Sequence, residues 1–180
     1  HGRPPAMSDP LQIIDVEGNL TGTAPELDNS TLIQMYTAIV RTRAFDSRCM
    51  NLQRTGKIGF SVPNRGIEAT SVGAAAAMDA SKDWFAPHYR DFGMLFYNDV
   101  PAEAMFDNMF GNSDDTAVGR QMPVHFSFTE PLKWLSISSP LGTQIPQAVG
   151  VSLAARKRGE DAIALTTFGD GSTSTLGFHS

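Results

Sequence analysis

The sequence has little cysteine, with Cys49 as the single thiol in 180 residues. One thiol excludes an internal disulfide framework and any zinc site built from several thiolates, and a reducing compartment is the simplest expectation. An excess of basic residues is also missing, because 14 Lys and Arg stand against 19 Asp and Glu, for a net charge of -5. This balance argues against a nucleic-acid partner, whose phosphates attract basic surfaces. No apolar run approaches the roughly 20 residues of a membrane-spanning helix, so no membrane partner is expected.

Glycine and proline, with 16 and 11 residues, are too few for a low-complexity or collagen-like chain. The 41% of hydrophobic and 18% of charged residues are typical of a globular protein with one sizeable core. Residues 1–29 are polar, begin with a tag-like leader over residues 1–7 and contain one candidate strand near residues 11–16. We therefore predict an N-terminal arm over residues 1–29 and a folded domain over residues 30–180.

The first strong helix signal begins at Ser30, whose hydroxyl can cap the free amide groups of the first turn. The helix is predicted to run to Arg54 and to stop at Gly56, because glycine readily takes the left-handed conformation there. Apolar residues recur at the spacing of one helix face, which predicts that this face points into the core. The residues of this face are Leu32, Met35, Tyr36, Ile39 and Val40.

The rest of the chain alternates helix signals with short apolar strand signals. Helices are predicted over residues 67–80, 101–111 and 143–158 and from Gly171, and strands over residues 84–86, 132–137 and 162–168. A strand, a turn and a helix that follow one another twice indicate a parallel sheet flanked by helices. The predicted fold class is therefore α/β.

The turn Gly169-Asp170-Gly171-Ser172, directly after the predicted strand over residues 162–168, is the most informative local feature. Two glycines let the backbone approach a ligand closely, and the N-terminus of a following helix offers free amide groups to a phosphate. A carboxylate beside bound phosphate oxygens would also suit Mg2+. The turn alone is weak evidence, because a sharp bend after a strand can need glycine for geometry alone.

Two other segments carry side chains suited to charged ligands. In His88-Tyr89-Arg90-Asp91, the guanidinium can bind a phosphate with two hydrogen bonds, and the tyrosine hydroxyl adds a neutral donor. The alternative is a surface ion pair between Arg90 and Asp91. The serines and the Gly-Thr-Gln over residues 137–144 can ligate a monovalent cation or simply cap the helix that begins there.

Five longer motifs resemble the alpha subunit of the thiamine-diphosphate-dependent 2-oxo acid dehydrogenase component, in particular its branched-chain type. They are QRTGKIGF (53–60), GIEA (66–69), GRQMPVHF (119–126), ISSPLGTQIPQAVG (137–150) and FGDGS (168–172). The resemblance extends over about residues 30–174. It implies the thiamine-diphosphate-binding fold, a parallel sheet flanked by helices, of which residues 30–180 would be the N-terminal part.

The resemblance also implies which residues hold the cofactors. Those matched to thiamine diphosphate are His88, Tyr89, Arg90, Ser139, Leu141, Gly169, Asp170, Gly171 and Ser172. Among them, Asp170 matches the acidic ligand of Mg2+, while Ser139 and the Leu141 backbone match the side of the pyrimidine ring. A structural K+ site of branched-chain members matches Ser138, Pro140, Thr143 and Gln144.

For the substrate, the resemblance implies a pocket at Phe60 and Ser61 and a candidate catalytic histidine at His125. Phe60 matches an apolar wall near the substrate. Ser61 stands where branched-chain members often carry a bulky aromatic residue. A pyruvate or acetoin dehydrogenase alpha subunit is therefore the near alternative.

The implied activity is oxidative decarboxylation of a 2-oxo acid substrate, with transfer of the acyl group to a lipoyl-bearing acyltransferase core. Thiamine diphosphate supplies the chemistry, while the protein binds, orients and excludes water. The implied partner is a beta subunit, in an alpha2-beta2 heterotetramer with the cofactor between the two chains. The bacterial cytoplasm is the expected location, with the mitochondrial matrix as the second choice.

Two departures from the family pattern lead to a further expectation. Residues 174–177 read Ser-Thr-Leu-Gly where the family has Ser-Glu-Gly-Asp, and the chain ends at Ser180, about halfway along the family's length. We therefore expect a truncated form without catalysis of its own. Alternatives of other classes are a non-catalytic fragment that binds partner subunits and a nicotinamide-binding enzyme, which the lack of a Gly-x-Gly-x-x-Gly motif disfavours.

Overall fold

The computed structural model describes residues 12–128, 130 and 132–180 of the chain. They fall into two units, one that ends at Leu32 and one over Ile33–Ser180. No helix within these described ranges is long and apolar enough to cross a lipid bilayer.

In the first unit, the strand predicted near residues 11–16 is reduced to one isolated antiparallel bridge between Ile14 and Leu20. A single bridge forms because the chain reverses at once and lays only these two positions side by side. The predicted leader over residues 1–7 lies outside the described residues, and the arm over residues 1–29 stays a prediction.

Helix α1 extends over Asn29–Arg54, close to the predicted range. The prediction of Ser30 as its cap is wrong, because the helix begins one residue before Ser30 and the residue ahead of it is Asp28. The Asp28 carboxylate accepts the backbone N–H of Thr31 at 2.7 Å, which satisfies one free donor of the first turn. Gly56 has a φ of +69° and ends the helix in the left-handed conformation, as predicted.

The remaining helices and strands are short. In chain order they are α2 (Glu68–Ala76), β1 (Trp84–Ala86), α3 (Gly93–Tyr97), α4 (Ala102–Phe110), β2 (Lys133–Trp134), α5 (Gln144–Arg158), β3 (Ala164–Thr166), a 3-10 helix (Asp170–Ser174) and α6 (Leu176–His179). β1 has the predicted bounds, whereas β2 and β3 are shorter than predicted. α4 and α5 lie where helices are predicted, and both end at a left-handed glycine.

Two elements differ from the prediction in kind. The pattern misses α3 because four of its five residues are buried, which leaves no polar face to mark a helical period. The helix predicted from Gly171 is a 3-10 helix followed by α6. The hydroxyls of Thr173 and Thr175 donate to the carbonyls of Asp170 and Ser172, at 2.6 and 2.7 Å, and such bonds compete with a regular helix.

The predicted inward face of α1 is only partly correct. Met35 and Ile39 are half-buried and pack against the core, whereas Tyr36 and Val40 are 68% and 49% exposed. The buried residues of the helix are instead Ala38, Thr42, Phe45, Asp46, Cys49 and Leu52. The small residue Thr42 faces inward where α3 approaches closely, because a Cβ on Gly93 would lie 3.4 Å from the Thr42 hydroxyl. That hydroxyl donates to the Ala38 carbonyl at 2.7 Å, so its burial leaves no unpaired polar group.

The three strands form one parallel sheet in the order β2-β1-β3, which confirms the predicted α/β class. Trp84 lies beside Lys133 on one side and beside Ala164 on the other. Because the strands are parallel, their carboxyl ends meet at one edge of the sheet. The segment after β1 and the glycine turn after β3 therefore lie next to each other.

Candidate cofactor and substrate site

A cavity of about 390 Å³, here called the basic cavity, opens at the carboxyl ends of β1 and β3. Its walls come from the loop before α2, the segment after β1 and the end of β3. Its polar and turn-forming lining includes Arg65, His88, Arg90, Asp91, Thr167 and Gly169. The structure thus brings together the predicted residues Arg90 and His88 with the first glycine of the turn.

Asp91 joins the two walls of the basic cavity. Its carboxylate accepts the backbone N–H of His88 at 2.8 Å and the hydroxyl of Thr167. The carbonyl of Thr167 in turn accepts the side-chain amide of Gln144, at the start of α5, at 2.8 Å. Asp91 is buried, so the alternative of a surface ion pair between Arg90 and Asp91 is wrong.

The charge of the basic cavity is positive. Two guanidinium groups, of Arg65 and Arg90, outnumber the single carboxyl of Asp91, whose pKa is raised by burial. Burial, and then the nearby Arg90 guanidinium, lowers the pKa of His88 to about 4, so its imidazole is neutral at pH 7. Among the described residues, neither Arg65 nor Arg90 has a carboxylate within ion-pair distance. Two free guanidinium groups beside a backbone turn are suited to a phosphate-bearing anion.

The glycine turn after β3 is only partly in the basic cavity. Gly169 lines it, whereas the neighbouring Asp170 is exposed and is not among the lining residues. Ser172 is buried and donates its backbone N–H to the Gly169 carbonyl at 3.0 Å. Within the described ranges, no group of three or more His, Cys, Asp or Glu residues could hold a metal ion. Asp170 is therefore an exposed carboxylate that directly follows a lining residue of the cavity.

A second cavity of about 210 Å³, here called the small cavity, has mostly apolar walls. It is lined by Phe60, Val62, Tyr89, Met122, His125 and Ser139. The rings of Tyr89 and His125 face each other, with their centroids 6.0 Å apart and their planes at 20°. Since Tyr89 and Arg90 are consecutive, the two cavities adjoin each other along the segment after β1. The structure places Phe60, Tyr89, His125 and Ser139 of the predicted site together here.

Like Asp170, Gly171 and Ser172, the predicted residues Ser61 and Leu141 line neither cavity. Ser61 is 7% exposed, and its hydroxyl has no hydrogen-bond partner in the described part of the chain. Leu141 is 52% exposed, and its side chain lies beside the glycine turn, 3.7 Å from where a Cβ on Gly171 would be. Leu141 is thus close to the turn, whereas Ser61 is buried and is not among the residues that line the small cavity.

The four residues of the predicted K+ site lie at the start of α5. The Thr143 hydroxyl donates to the Pro140 carbonyl at 2.9 Å, which brings two of the four oxygen donors together. Ser138 is half-buried beside them, and the Gln144 amide is used by Thr167. The cation role of this group stays a prediction.

The sequence pattern misses two residues of the basic cavity. Arg65 follows a proline and an asparagine in an irregular loop, where a lone arginine is ordinary surface composition. Thr167 directly follows β3 and has no motif of its own. Both lie far along the chain from Arg90, so only the tertiary structure brings them to the same cavity.

The comparison with known proteins supports the geometric evidence. The family model of the dehydrogenase E1 component matches residues 36–180. The human 2-oxoisovalerate dehydrogenase subunit alpha, mitochondrial, is 36% identical over 165 residues, which cover 91% of this chain and 37% of the relative. The Bacillus subtilis 2-oxoisovalerate dehydrogenase subunit alpha is 38% identical over 154 residues, which cover 85% of this chain and 46% of the relative.

The mitochondrial protein of the same name from Caenorhabditis elegans is 37% identical over 151 residues, which cover 83% of this chain and 35% of the relative. The chain thus spans less than half the length of these relatives. The family match, by contrast, includes every element after the start of α1, together with both cavities. From this match and the parallel sheet, we conclude that the chain belongs to the dehydrogenase E1 component family.

Proposed function

We propose that this chain is part of the alpha subunit of a branched-chain 2-oxo acid dehydrogenase. The basic cavity carries the proposal, because it joins Arg90 after β1 to Gly169 after β3 at one edge of the sheet. Open parallel sheets bind ligands outside the carboxyl ends of their strands. The relatives named 2-oxoisovalerate dehydrogenase support the same activity.

The residues of the basic cavity fit thiamine diphosphate. The guanidinium group of Arg90 and the backbone at Gly169 would hold the diphosphate, and Tyr89, Gly171 and Ser172 lie in the same two segments. The carboxylate of Asp170 would be the protein ligand of Mg2+, which commonly takes its other ligands from phosphate and water. When bound, thiamine diphosphate supplies the nucleophilic carbon and the electron sink that decarboxylation of a 2-oxo acid needs.

The small cavity supports a short aliphatic substrate. Phe60, Val62 and Met122 offer apolar surface to a branched side chain, while Ser139 and His125 form a polar end. This chain's residues would orient the substrate there and keep water from its reactive carbon. Each methylene that such a cavity buries contributes about 1–3 kcal/mol, so the branched side chain of 3-methyl-2-oxobutanoate should be favoured over the methyl group of pyruvate.

The partners follow from the proposed complex. A beta subunit in an alpha2-beta2 heterotetramer and a lipoyl-bearing acyltransferase core are proposed, with the bacterial cytoplasm or the mitochondrial matrix as the location. Bacterial and mitochondrial relatives both support this. The K+ site at Ser138, Pro140, Thr143 and Gln144 is proposed as a structural cation site beside the turn.

The test is decarboxylation by the chain together with its beta partner, thiamine diphosphate and Mg2+. We expect 3-methyl-2-oxobutanoate to be decarboxylated with a higher kcat/KM than pyruvate, by about tenfold or more. Replacing Arg90 by Gln should weaken binding of thiamine diphosphate by about tenfold or more, since a hydrogen bond to a charged group contributes about 1.5–3 kcal/mol.

Arg54→Gln, at the exposed end of α1, is the matched control and should bind thiamine diphosphate like the wild type. A preference for pyruvate would point to the pyruvate dehydrogenase alternative. The proposed function would be contradicted if neither acid were decarboxylated and Arg90→Gln bound thiamine diphosphate like the wild type. Titration calorimetry of the chain alone with thiamine diphosphate and Mg2+ separately tests the prediction that it has no catalysis of its own. Sub-micromolar binding of the cofactor would contradict that prediction.

A further inference from the structure

At the polar end of the small cavity, three groups form a hydrogen-bonded chain. The Nδ1 of His125 lies 3.0 Å from the carbonyl oxygen of Pro123, and its Nε2 lies 2.8 Å from the hydroxyl oxygen of Ser139. A carbonyl oxygen can only accept a hydrogen bond, so Nδ1 carries the proton. In the neutral imidazole Nε2 then has a free lone pair, and the Ser139 hydroxyl donates to it.

The two side chains differ in their access to a ligand. His125 is 4% exposed, whereas Ser139 is exposed. Both residues line the small cavity, but Nε2 of the largely covered imidazole is already paired with the Ser139 hydroxyl, so the hydroxyl is the more accessible end of the pair. The facing ring of Tyr89 restricts the orientation of the imidazole, with the planes 20° apart.

We propose that Ser139 relays a proton between a ligand in the small cavity and His125. A ligand N–H or O–H bound at the Ser139 oxygen passes its proton to that oxygen, while the hydroxyl proton of Ser139 moves to Nε2 of His125. The ligand loses one bond to hydrogen, the Ser139 oxygen breaks one and forms one, and Nε2 of His125 gains one. The ligand therefore becomes its conjugate base and His125 becomes imidazolium. The reverse sequence returns the proton. Only the identity of the ligand rests on the proposed function.

The surroundings of His125 bear on the charge that the relay creates. The Pro123 carbonyl already accepts the Nδ1 proton, and it binds an imidazolium more strongly than a neutral imidazole. The groups that face the ring are the Tyr89 phenol and, beyond it, the Arg90 guanidinium, which lies 5.0 Å from the Tyr89 ring centroid.

The first test reads the tautomer of His125 by 15N NMR of the histidine-labelled chain, without cofactor. The chain has four histidines, and loss of one signal set in His125→Asn assigns the residue. We expect a protonated Nδ1 and a hydrogen-bonded, unprotonated Nε2. Ser139→Ala should shift the Nε2 signal, and Ser139→Thr, which keeps the hydroxyl, should restore it.

A wild-type His125 protonated at Nε2 would overturn the proposal, and so would an Nε2 signal that Ser139→Ala leaves unchanged. The matched control is Ser136→Ala, because the Ser136 hydroxyl is also exposed and also paired, at 2.6 Å from the Ser127 hydroxyl. This control should leave the His125 signals where they are.

The second test measures decarboxylation of 3-methyl-2-oxobutanoate by the assembly with the beta partner and thiamine diphosphate. Ser139→Ala and His125→Asn should each lower kcat by about a hundredfold, the usual lower size of a general acid–base contribution, with a smaller change in KM. The double variant should be no slower than the slower single variant, because one broken step already stops the relay.

If the losses of kcat in the two single variants multiplied in the double variant, the relay would be overturned. A wild-type assembly without decarboxylation would instead overturn the proposed function, and the NMR result would then decide the relay alone.

Discussion

At the scale of single residues, burial shifts the pKa of several titratable groups in the second unit. Burial raises the pKa of the Cys49 thiol to about 12, so the thiol is neutral and chemically inert in the folded chain. The same effect raises the pKa of the Asp91 carboxyl and lowers that of the His88 imidazole to about 4. The positive charge of the basic cavity is therefore left to the guanidinium groups of Arg65 and Arg90.

The lowered pKa of His88 predicts a pH dependence of stability. The unfolded chain binds a proton at His88 below about pH 6.5, whereas the folded chain binds it only below about pH 4. Because the unfolded state binds more protons between these values, the free energy of unfolding falls as the pH drops from 6.5 to 4. His88→Gln should reduce this fall by up to about 3 kcal/mol.

The measurement is urea unfolding of the wild type and of His88→Gln at pH 4, 5 and 6.5, followed by circular dichroism. His179→Gln, which removes an exposed histidine, is the control and should keep the wild-type pH dependence. Identical pH dependence in His88→Gln and the wild type would contradict the prediction.

At the scale of elements, close packing of α2 against α3 holds the segment after β1 in place. Gly93 begins α3 directly behind Asp91 and Phe92, and it lies against α2 and α1. A Cβ on Gly93 would collide with the Ser71 hydroxyl and lie 3.3 Å from a methyl group of Val72. The absence of a side chain at this position lets the two helices approach.

Gly93→Ala should therefore destabilise the fold by about 1–3 kcal/mol, the usual cost of overpacking. Gly73→Ala, within α2, should instead stabilise it by about 0.5–1 kcal/mol, because its Cβ would meet open space and alanine favours the helix. Urea unfolding of both variants is the measurement.

Ser71→Ala removes the atom that a Cβ at position 93 would strike, so the pair Gly93→Ala and Ser71→Ala should recover part of the lost stability. Equal effects of alanine at positions 93 and 73 would contradict this account of the packing.

At the scale of the whole second unit, an aromatic cluster joins the helices. The ring of Phe45 on α1 lies within 5.6 Å of the rings of Phe92, Phe96 and Phe106, measured between centroids. Phe126 joins the same group at 6.4 Å from Phe45. Because Phe126 precedes β2 and follows His125, the cluster fixes one wall of the small cavity to α1.

Phe45→Ala should lower the free energy of unfolding by about 3–5 kcal/mol, since a large cavity would open among four rings. Phe45→Leu should cost less, because it fills part of that space. Phe110→Ala, at a ring that is 49% exposed, is the control and should cost clearly less than Phe45→Ala. Thermal and urea unfolding measure all three, and a small effect of Phe45→Ala would show that the cluster is not central to stability.

Much of the fold follows from local signals in the sequence. β1 has the predicted bounds, and the left-handed glycines at 56, 111 and 159 end their helices where expected. The buried face of α1 does not follow, because its apolar stripe and its small-residue stripe compete for the core. The close approach of α3, at a distance in sequence, decides between them.

The candidate site, like the fold, follows only in part from the sequence. The motifs around Arg90, His125, Ser139 and Gly169 are legible in the chain, because each is a short run of residue types whose chemistry is known. The bond between Asp91 and Thr167 joins positions 76 residues apart, and the one between His125 and Ser139 joins positions 14 apart.

The sequence by itself therefore determined the order and type of the longer elements, the parallel sheet and the residue types available for chemistry. Those properties depend on neighbours within a few positions along the chain. Only the tertiary structure decided which side chains share a cavity, which carboxylate is buried and which hydroxyl meets His125. Such pairings depend on how distant segments pack, and packing is set by the shape of the whole core.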